Sequence, residues 1–212
     1  MSIANYFTFI RLIISPVFLV CYIGYEEIGL DKQFLPYFLL NLLLISELSD
    51  AFDGYLARKF NQVTDLGKIL DPMADSIARI TVFLAFTQPP VNLSVSLIFV
   101  FLYRDSVVST LRTICALRGI ALAARISGKI KAVIQGISAF LILALMILNT
   151  QGQVSSAQLQ TISFWVVGIA ALYTVFSGFD YIYANREHIG RLLTLQNSKP
   201  LEKEHGQEFG DA

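Results

Sequence analysis

The stretch SDAFDGYLARKFNQVTDLGKILDPMADS, residues 49–76, is rich in carboxylates although it lies between long apolar segments. It holds five aspartates, and four of them follow helical spacing. Residues three or four positions apart share one face of an α-helix. Asp50 and Asp53 therefore lie on one helix face, and Asp71 and Asp75 lie on a face of the next helix. The stretch predicts two consecutive helices whose carboxylates converge, whereas the fifth acid, Asp65, is interpreted as an ordinary loop or cap residue.

The composition predicts an all-α integral membrane protein. Of the 212 residues, 55% are hydrophobic and only 15% are charged, against about 25% charged in a typical soluble domain. Residues 132–179 contain no Asp, Glu, Lys or Arg, and this run is too long for a single span of about 20 residues. The formal net charge is zero, so no nucleic-acid partner is expected. Cys21 and Cys115 lie in apolar segments and are interpreted as buried thiols.

The apolar segments predict six transmembrane helices. Connections on one side carry a single basic residue, Lys32, whereas the opposite connections and the tail carry many. The positive-inside rule then places both termini and the aspartate-rich connection in the cytoplasm. Residues 1–185 are predicted to form the six-helix membrane domain, and residues 186–212 a polar, mobile tail. The expected spans are about 4–25, 34–57, 69–88, 93–117, 128–149 and 158–184.

The converging carboxylates predict a site for hard divalent cations. Clustered carboxylates repel one another unless a cation neutralises them, and all-oxygen sites favour Mg²⁺, Mn²⁺ or Ca²⁺ over zinc. Two such ions form a clamp for displacement at phosphorus. On the same helix face, Gly54 and Ala57 remove side-chain bulk, and Arg58 is placed to reach a phosphate. These residues together point to chemistry on a phosphorylated substrate.

The pattern Asp50-x2-Asp53-Gly54-x2-Ala57-Arg58-x8-Gly67-x3-Asp71-x3-Asp75 resembles the signature of the CDP-alcohol phosphotransferases. The resemblance implies a six-helix membrane enzyme, usually a homodimer, that transfers a phosphatidyl-type group from a CDP-linked donor to an alcohol and releases CMP. It also implies that two divalent ions, Mg²⁺ or Mn²⁺, are held by Asp50, Asp53, Asp71 and Asp75. Asp75 would also be the general base, and the nucleotide would be bound by Asp50, Gly54, Ala57, Arg58 and Gly67.

A second stretch, YRDSVVSTLRTICALRGIALAARISGKIKAVIQ at residues 103–135, bears on the acceptor. Arg104 lies deep in the predicted fourth span, so it must pair with Asp105, with the metal-site acids or with an anionic ligand. Several cations opposite a metal–phosphate site favour an acceptor that is itself phosphorylated. A role in membrane topology also explains Lys131. The candidates for binding the acceptor phosphate are Arg104, Arg112, Lys129 and Lys131.

Three segments of the chain, two of them in this stretch, resemble the bacterial branch of the family whose acceptor is glycerol 3-phosphate. The similar segments are SVVSTLR, SGKIK and the N-terminal NYFTFIRLIISP. The likeness implies CDP-diacylglycerol and glycerol 3-phosphate as substrates, and a bacterial inner membrane with the active site facing the cytoplasm. Two residues depart from the branch: Asp105 stands where Glu is expected, and Ser76 where Lys is frequent. Either departure could alter the choice of acceptor.

Two other hypotheses fit part of the pattern. The first is another enzyme of the family, with inositol phosphate, serine or a lipid alcohol as acceptor. The second belongs to a different class, a divalent-cation transporter with an acidic intramembrane site. A transporter leaves Gly54 and Arg58 unexplained, and the sequence shows no inverted repeat of the kind many transporters have. Metal-dependent binding of a cytidine nucleotide would distinguish an enzyme of the family from a transporter.

Overall fold

The computed structural model describes residues 3–59, 65–117, 122, 125–187 and 189–190, with side chains described from Thr8 onward except at 50, 51, 53–59 and 65–71. The described residues form six α-helices and no strand, which confirms the predicted all-α class. The helix bounds lie within a few residues of the expected spans. The largest difference is that the third helix begins at Asp65 rather than near residue 69. The helices are α1 (Ile3–Ile23), α2 (Leu35–Lys59), α3 (Asp65–Ala85), α4 (Val95–Leu117), α5 (Ile126–Thr150) and α6 (Ser156–Ala184).

The turn between α5 and α6 shows how local sequence sets the helix ends. Gly152 has a φ of 76°, a backbone conformation that glycine adopts without steric cost. Ser155 then caps α6: its hydroxyl accepts a hydrogen bond from the Gln158 N–H at 3.3 Å. The Gln158 side chain accepts one from the Ser155 N–H at 2.9 Å. This capping box satisfies two backbone donors that a helix start otherwise leaves unpaired.

The six helices pack as two groups of three. In the first group α1 contacts both α2 and α3, and in the second α6 contacts both α4 and α5. Contacts of α2 with α5, and of α3 with α4 and α5, join the two groups. The helix α3 therefore contacts helices of both groups, so side chains on α3 can link the two groups.

An aromatic cluster fixes α1, α3 and α4 near the connection that follows α3. Its rings meet edge to face, and the closest pair, Phe83 and Phe101, has centroids 5.0 Å apart. This is the preferred geometry for aromatic pairs. The cluster is completed by Phe18, Tyr22 and Phe86. In both α1 and α3 the charged residues precede the cluster: Arg11 comes before Phe18, and Arg79 comes before Phe83.

Large apolar side chains are exposed on every helix, among them Ile13, Val95, Trp165 and Leu172. So much exposed apolar surface is unusual for a soluble monomer. In the described part of the chain, α5 and α6 are long and apolar enough to cross a membrane. Both cysteines are free and buried, as predicted. The predicted tail lies largely outside the described residues, so the division at residue 185 stays a prediction, although α6 ends beside it at Ala184.

Candidate active site

The aspartate-rich signature occupies the end of α2 and the first half of α3. Asp50, Asp53, Gly54, Ala57 and Arg58 all fall within α2, as the helical spacing predicted. Gly67, Asp71 and Asp75 fall within α3. Asp75 is the one signature residue whose side chain belongs to the described part of the structure. The convergence of the other three aspartates therefore stays a prediction.

Asp75 lies between two arginines. A guanidinium N–H of Arg11, on α1, donates a hydrogen bond to Asp75 Oδ1. Arg79, one turn further along α3, lies with its Nη2 3.8 Å from Asp75 Oδ2. The Arg11 side chain is 3% exposed and that of Asp75 is 25% exposed. Since a buried cation in an apolar bundle needs an anionic partner, Asp75 balances Arg11 while its carboxylate remains accessible.

A pocket opens beside Asp75 where α1, α2 and α3 meet. It measures about 220 Å³, counted with its open mouth. The helix α2 contributes Ser46 and Glu47 to its wall, and the remaining lining residues are Arg11, Asp75, Ala78 and Arg79. The described part of α2 therefore faces the predicted general base across this pocket. In the described residues no group of three or more His, Cys, Asp or Glu side chains could hold a metal.

The basic residues predicted for the acceptor divide into three environments. Arg104 and Lys131 share one partner: Arg104 Nη1 lies 3.0 Å from Asp105 Oδ1, and Lys131 Nζ lies 2.6 Å from the same oxygen. Arg112 instead donates from Nε to the hydroxyl of Tyr181 at 3.3 Å. Lys129 is exposed at the start of α5. The structure thus brings Arg104 and Lys131 together and leaves Arg112 on the α6 side.

Of the partners considered for Arg104, the structure contains Asp105. Lys131 is buried, with a side chain 4% exposed, and it makes an interior ion pair with Asp105. The Ser76 hydroxyl also donates to Asp105 Oδ2, at 3.3 Å. The two positions that depart from the bacterial branch, Ser76 and Asp105, are therefore in contact. Because Ser76 follows Asp75 directly, the acidic and basic clusters are adjacent.

The sequence interpretation gave no role to Arg11, Glu47 or Arg79, which all line the pocket beside Asp75. The sequence does single out Arg11, because it is the one charged residue in the first 25 positions. An arginine in an apolar span calls for a partner. Glu47 and Arg79 lie one helical turn from Asp50 and Asp75 respectively, so the same periodicity could have added them to the site.

Comparison with known proteins agrees with the signature. The model of the CDP-alcohol phosphatidyltransferase family matches residues 1–177. A CDP-diacylglycerol–glycerol-3-phosphate 3-phosphatidyltransferase of Bacillus subtilis (strain 168) is 31% identical over 196 residues, covering 88% of this chain and 96% of the relative. A Rickettsia felis protein of the same name is 27% identical over 187 residues, covering 88% and 97%. An Aquifex aeolicus protein of that name is 40% identical over 87 residues, covering 41% and 44%. Given a match over most of its length, this chain belongs to the CDP-alcohol phosphatidyltransferase family.

Proposed function

We propose that the protein is a phosphatidylglycerophosphate synthase, which transfers the phosphatidyl group of CDP-diacylglycerol to glycerol 3-phosphate and releases CMP. The observation that carries this proposal is the adjacency of the two clusters. Asp75 lines the pocket of α1, α2 and α3, and the next residue, Ser76, contacts the carboxylate that holds Arg104 and Lys131. A phosphorylated acceptor needs cations at one end and a base at the other. The names of the relatives point to the same substrates.

The donor side of the proposed site is formed by α2 and α3. Ser46 and Glu47 share a pocket with Asp75, and Asp50 follows them by four and three positions on the same helix. Helical periodicity supports a signature face of α2 turned toward α3. The donor set of Asp50, Asp53, Asp71 and Asp75 contains only carboxylates, which suits a hard divalent cation.

These four aspartates would hold two Mg²⁺ or Mn²⁺ ions. When bound, the ions supply neutralisation of the pyrophosphate and of the charge that develops on the departing CMP. Arg58 would bind phosphate oxygens of the nucleotide. The small residues Gly54, Ala57 and Gly67 would let the nucleotide approach the backbone.

The proposed reaction is a displacement at phosphorus in which Asp75 is the general base. Asp75 accepts the proton of the acceptor hydroxyl while that oxygen forms a bond to the β-phosphorus of CDP-diacylglycerol. The bond from the β-phosphorus to the bridging oxygen breaks, and CMP leaves with the electron pair. Arg104 and Lys131 orient the acceptor through its phosphate, so that the hydroxyl is held near Asp75.

The membrane arrangement of the proposed enzyme follows from charge and exposed apolar surface. All six helices would cross a bacterial inner membrane, with both termini and the site on the cytoplasmic side. The support is the basic residues in the connections on the signature side and the apolar side chains exposed on every helix. The acyl chains of the donor would stay in lipid while its head group reaches α2 and α3. A second copy of the chain as partner is implied by the family resemblance.

The test is CMP release by the purified protein in detergent–lipid micelles containing CDP-diacylglycerol and Mg²⁺ or Mn²⁺. Glycerol 3-phosphate, inositol 1-phosphate, serine and glycerol are offered separately. The proposal expects release with glycerol 3-phosphate alone, and loss of release on adding a chelator. Release with another acceptor would keep the reaction and reject the proposed acceptor. Release that survives complete chelation would reject the proposed metal dependence.

A further inference from the structure

Asp105 is a buried carboxylate on α4 that accepts hydrogen bonds from residues of three helices. Lys131 Nζ, on α5, lies 2.6 Å from Oδ1 and 2.8 Å from Oδ2. Arg104 Nη1, on α4 itself, lies 3.0 Å from Oδ1. The hydroxyl of Ser76, on α3, lies 3.3 Å from Oδ2. With donors on both oxygens and a side chain 8% exposed, the carboxylate is fixed in orientation.

Arg104 is held by Asp105 at one end of its guanidinium group and keeps donors for a ligand. Its other terminal nitrogen, Nη2, carries two of the five N–H donors of a guanidinium, and the Arg104 side chain is 13% exposed; Nε is buried and has no hydrogen-bond partner among the described residues. The Arg104 side chain also passes close to two glycines. A Cβ on Gly128 would lie 3.4 Å from Arg104 Nη2, and a Cβ on Gly178 would lie 3.2 Å from Arg104 Cγ. Asp105 and these two small residues together determine where the guanidinium lies.

The charges explain why a carboxylate is needed at this place. Arg104 and Lys131 carry like charges that repel each other at short range, and a buried cation without an anionic partner is strongly unfavourable. Asp105 contacts both cations, so both can stay charged and close together. One negative charge against two positive charges leaves one net positive charge in the cluster. That residual charge favours binding of an anionic group.

We infer that Asp105 is a positioning residue for the acceptor, which holds Arg104 and Lys131 in place to bind the phosphate of a small phosphate monoester. The inference rests on the proposed function and adds a specificity-determining residue to it. Ser76 connects this network to the turn of α3 that carries Asp75. The same contacts therefore set the distance between the acceptor phosphate and the general base.

The test is steady-state kinetics of Asp105→Asn with glycerol 3-phosphate and CDP-diacylglycerol varied in turn. With Asn at position 105, Arg104 and Lys131 are no longer held in place, so their hydrogen bonds to the acceptor phosphate should weaken. Loss of one such charge-assisted bond raises KM for glycerol 3-phosphate about tenfold or more. KM for CDP-diacylglycerol should stay within about twofold. Asp105→Glu retains a carboxylate for both cations, so its KM for glycerol 3-phosphate should return to within about threefold of the wild-type value. A fall in kcat with both KM values unchanged in Asp105→Asn would overturn the inference.

Asp180→Asn is the matched control. Asp180 also accepts hydrogen bonds from an arginine and a serine, at 2.7 Å from Arg125 Nε and 2.5 Å from the Ser127 hydroxyl. It joins α6 to the start of α5 and is outside the Asp105 network. Asp180→Asn should raise KM for glycerol 3-phosphate less than Asp105→Asn does, because Asp180 is not the anionic partner of Arg104 or Lys131. An equal rise in that KM for Asp105→Asn and Asp180→Asn would show a general structural effect and contradict the positioning role.

A second pair of variants covers the case in which Asp105→Asn does not fold because Lys131 is left buried without a partner. Lys131→Gln removes that buried charge. The single variant Lys131→Gln can then be compared with the double variant that also carries Asp105→Asn. The positioning of Arg104 predicts a further rise in KM for glycerol 3-phosphate in the double variant. No further rise would reject the inference.

The wild-type assay separates this inference from the proposed function. If wild-type protein releases no CMP with glycerol 3-phosphate, the proposed function is contradicted. If wild-type release is normal and Asp105→Asn shows an unchanged KM for glycerol 3-phosphate, the positioning role alone is contradicted.

Discussion

Two carboxylates on neighbouring helices, Asp75 on α3 and Asp105 on α4, each lie between two cations, yet their surroundings differ. The Asp75 side chain is 25% exposed and lines the open pocket of α1, α2 and α3. The Asp105 side chain is 8% exposed, and both of its oxygens accept hydrogen bonds. The accessible carboxylate can exchange a proton with a substrate, whereas the enclosed one can only hold its neighbours. Similar local charges therefore suit the proposed general base in one place and the inferred positioning residue in the other.

The largest effect is expected from Asp75→Asn. Removal of a general base costs about 10²- to 10⁴-fold in rate, and Asp75 is also a proposed metal ligand. We expect kcat for CMP release to fall at least about 10³-fold, and size exclusion checks that the protein stays folded although Arg11 loses its anionic partner Asp75. Near-normal turnover in Asp75→Asn would show that this accessible carboxylate has no catalytic role.

A smaller but substantial effect is expected from Arg11→Met. Arg11 is the buried partner of Asp75, so methionine keeps the bulk of the side chain but removes the donor that orients the carboxylate. We expect kcat to fall about tenfold, since an oriented charge-assisted hydrogen bond is lost. Arg11→Lys should recover part of the rate because it restores the positive charge. The rate of CMP release with both substrates saturating gives kcat for each variant. Equal kcat values for the methionine and lysine variants would show that a positive charge at position 11 is irrelevant.

Arg79→Met should have a weaker effect than Arg11→Met. Arg79 Nη2 lies 3.8 Å from Asp75, beyond hydrogen-bond distance, and the Arg79 side chain is 21% exposed. A partly solvated pair of this kind contributes little, so we expect kcat to fall no more than about threefold. The same saturating assay compares the two methionine variants directly. A larger loss from Arg79→Met than from Arg11→Met would reverse our assignment of the principal partner of Asp75.

Sequence periodicity predicted the helices well because each helix is a local structure with its own signals. The six helices follow from apolar run length, and the placement of Asp50–Arg58 on α2 and of Asp71 and Asp75 on α3 follows from spacing. The pairing of Arg104 with Asp105 was among the partners expected, since the two residues are neighbours in sequence. Local signals of this kind do not depend on how the helices pack.

The contacts across the bundle were not predictable in the same way. Arg11 and Asp75 are 64 positions apart, and Lys131 and Asp105 are 26 positions apart. Which charge faces which depends on how each helix is rotated about its axis, and packing of the whole bundle sets that rotation. The sequence indicates that Arg11 requires an anionic partner, but only the packed helices identify that partner as Asp75.

The smallest predicted effect tests how finely Arg104 is placed. In Gly178→Ala the new Cβ would lie 3.2 Å from Arg104 Cγ, so the arginine stem must move by a few tenths of an ångström. Alanine is also the better helix former by about 1 kcal/mol, so the protein should stay folded. We expect KM for glycerol 3-phosphate to rise about two- to threefold, because a small displacement weakens the geometry of charge-assisted hydrogen bonds. KM for CDP-diacylglycerol should not change.

Gly168→Ala, ten residues earlier on α6, is the control for that change. A Cβ there would meet no atom within 4 Å, so the gain in helix propensity comes without displacement of Arg104. Its KM for glycerol 3-phosphate should equal the wild-type value. If Gly178→Ala also leaves that KM unchanged, a small displacement of the Arg104 stem does not limit acceptor binding. The inferred role of Asp105 would then rest more on its contact with Lys131 of α5.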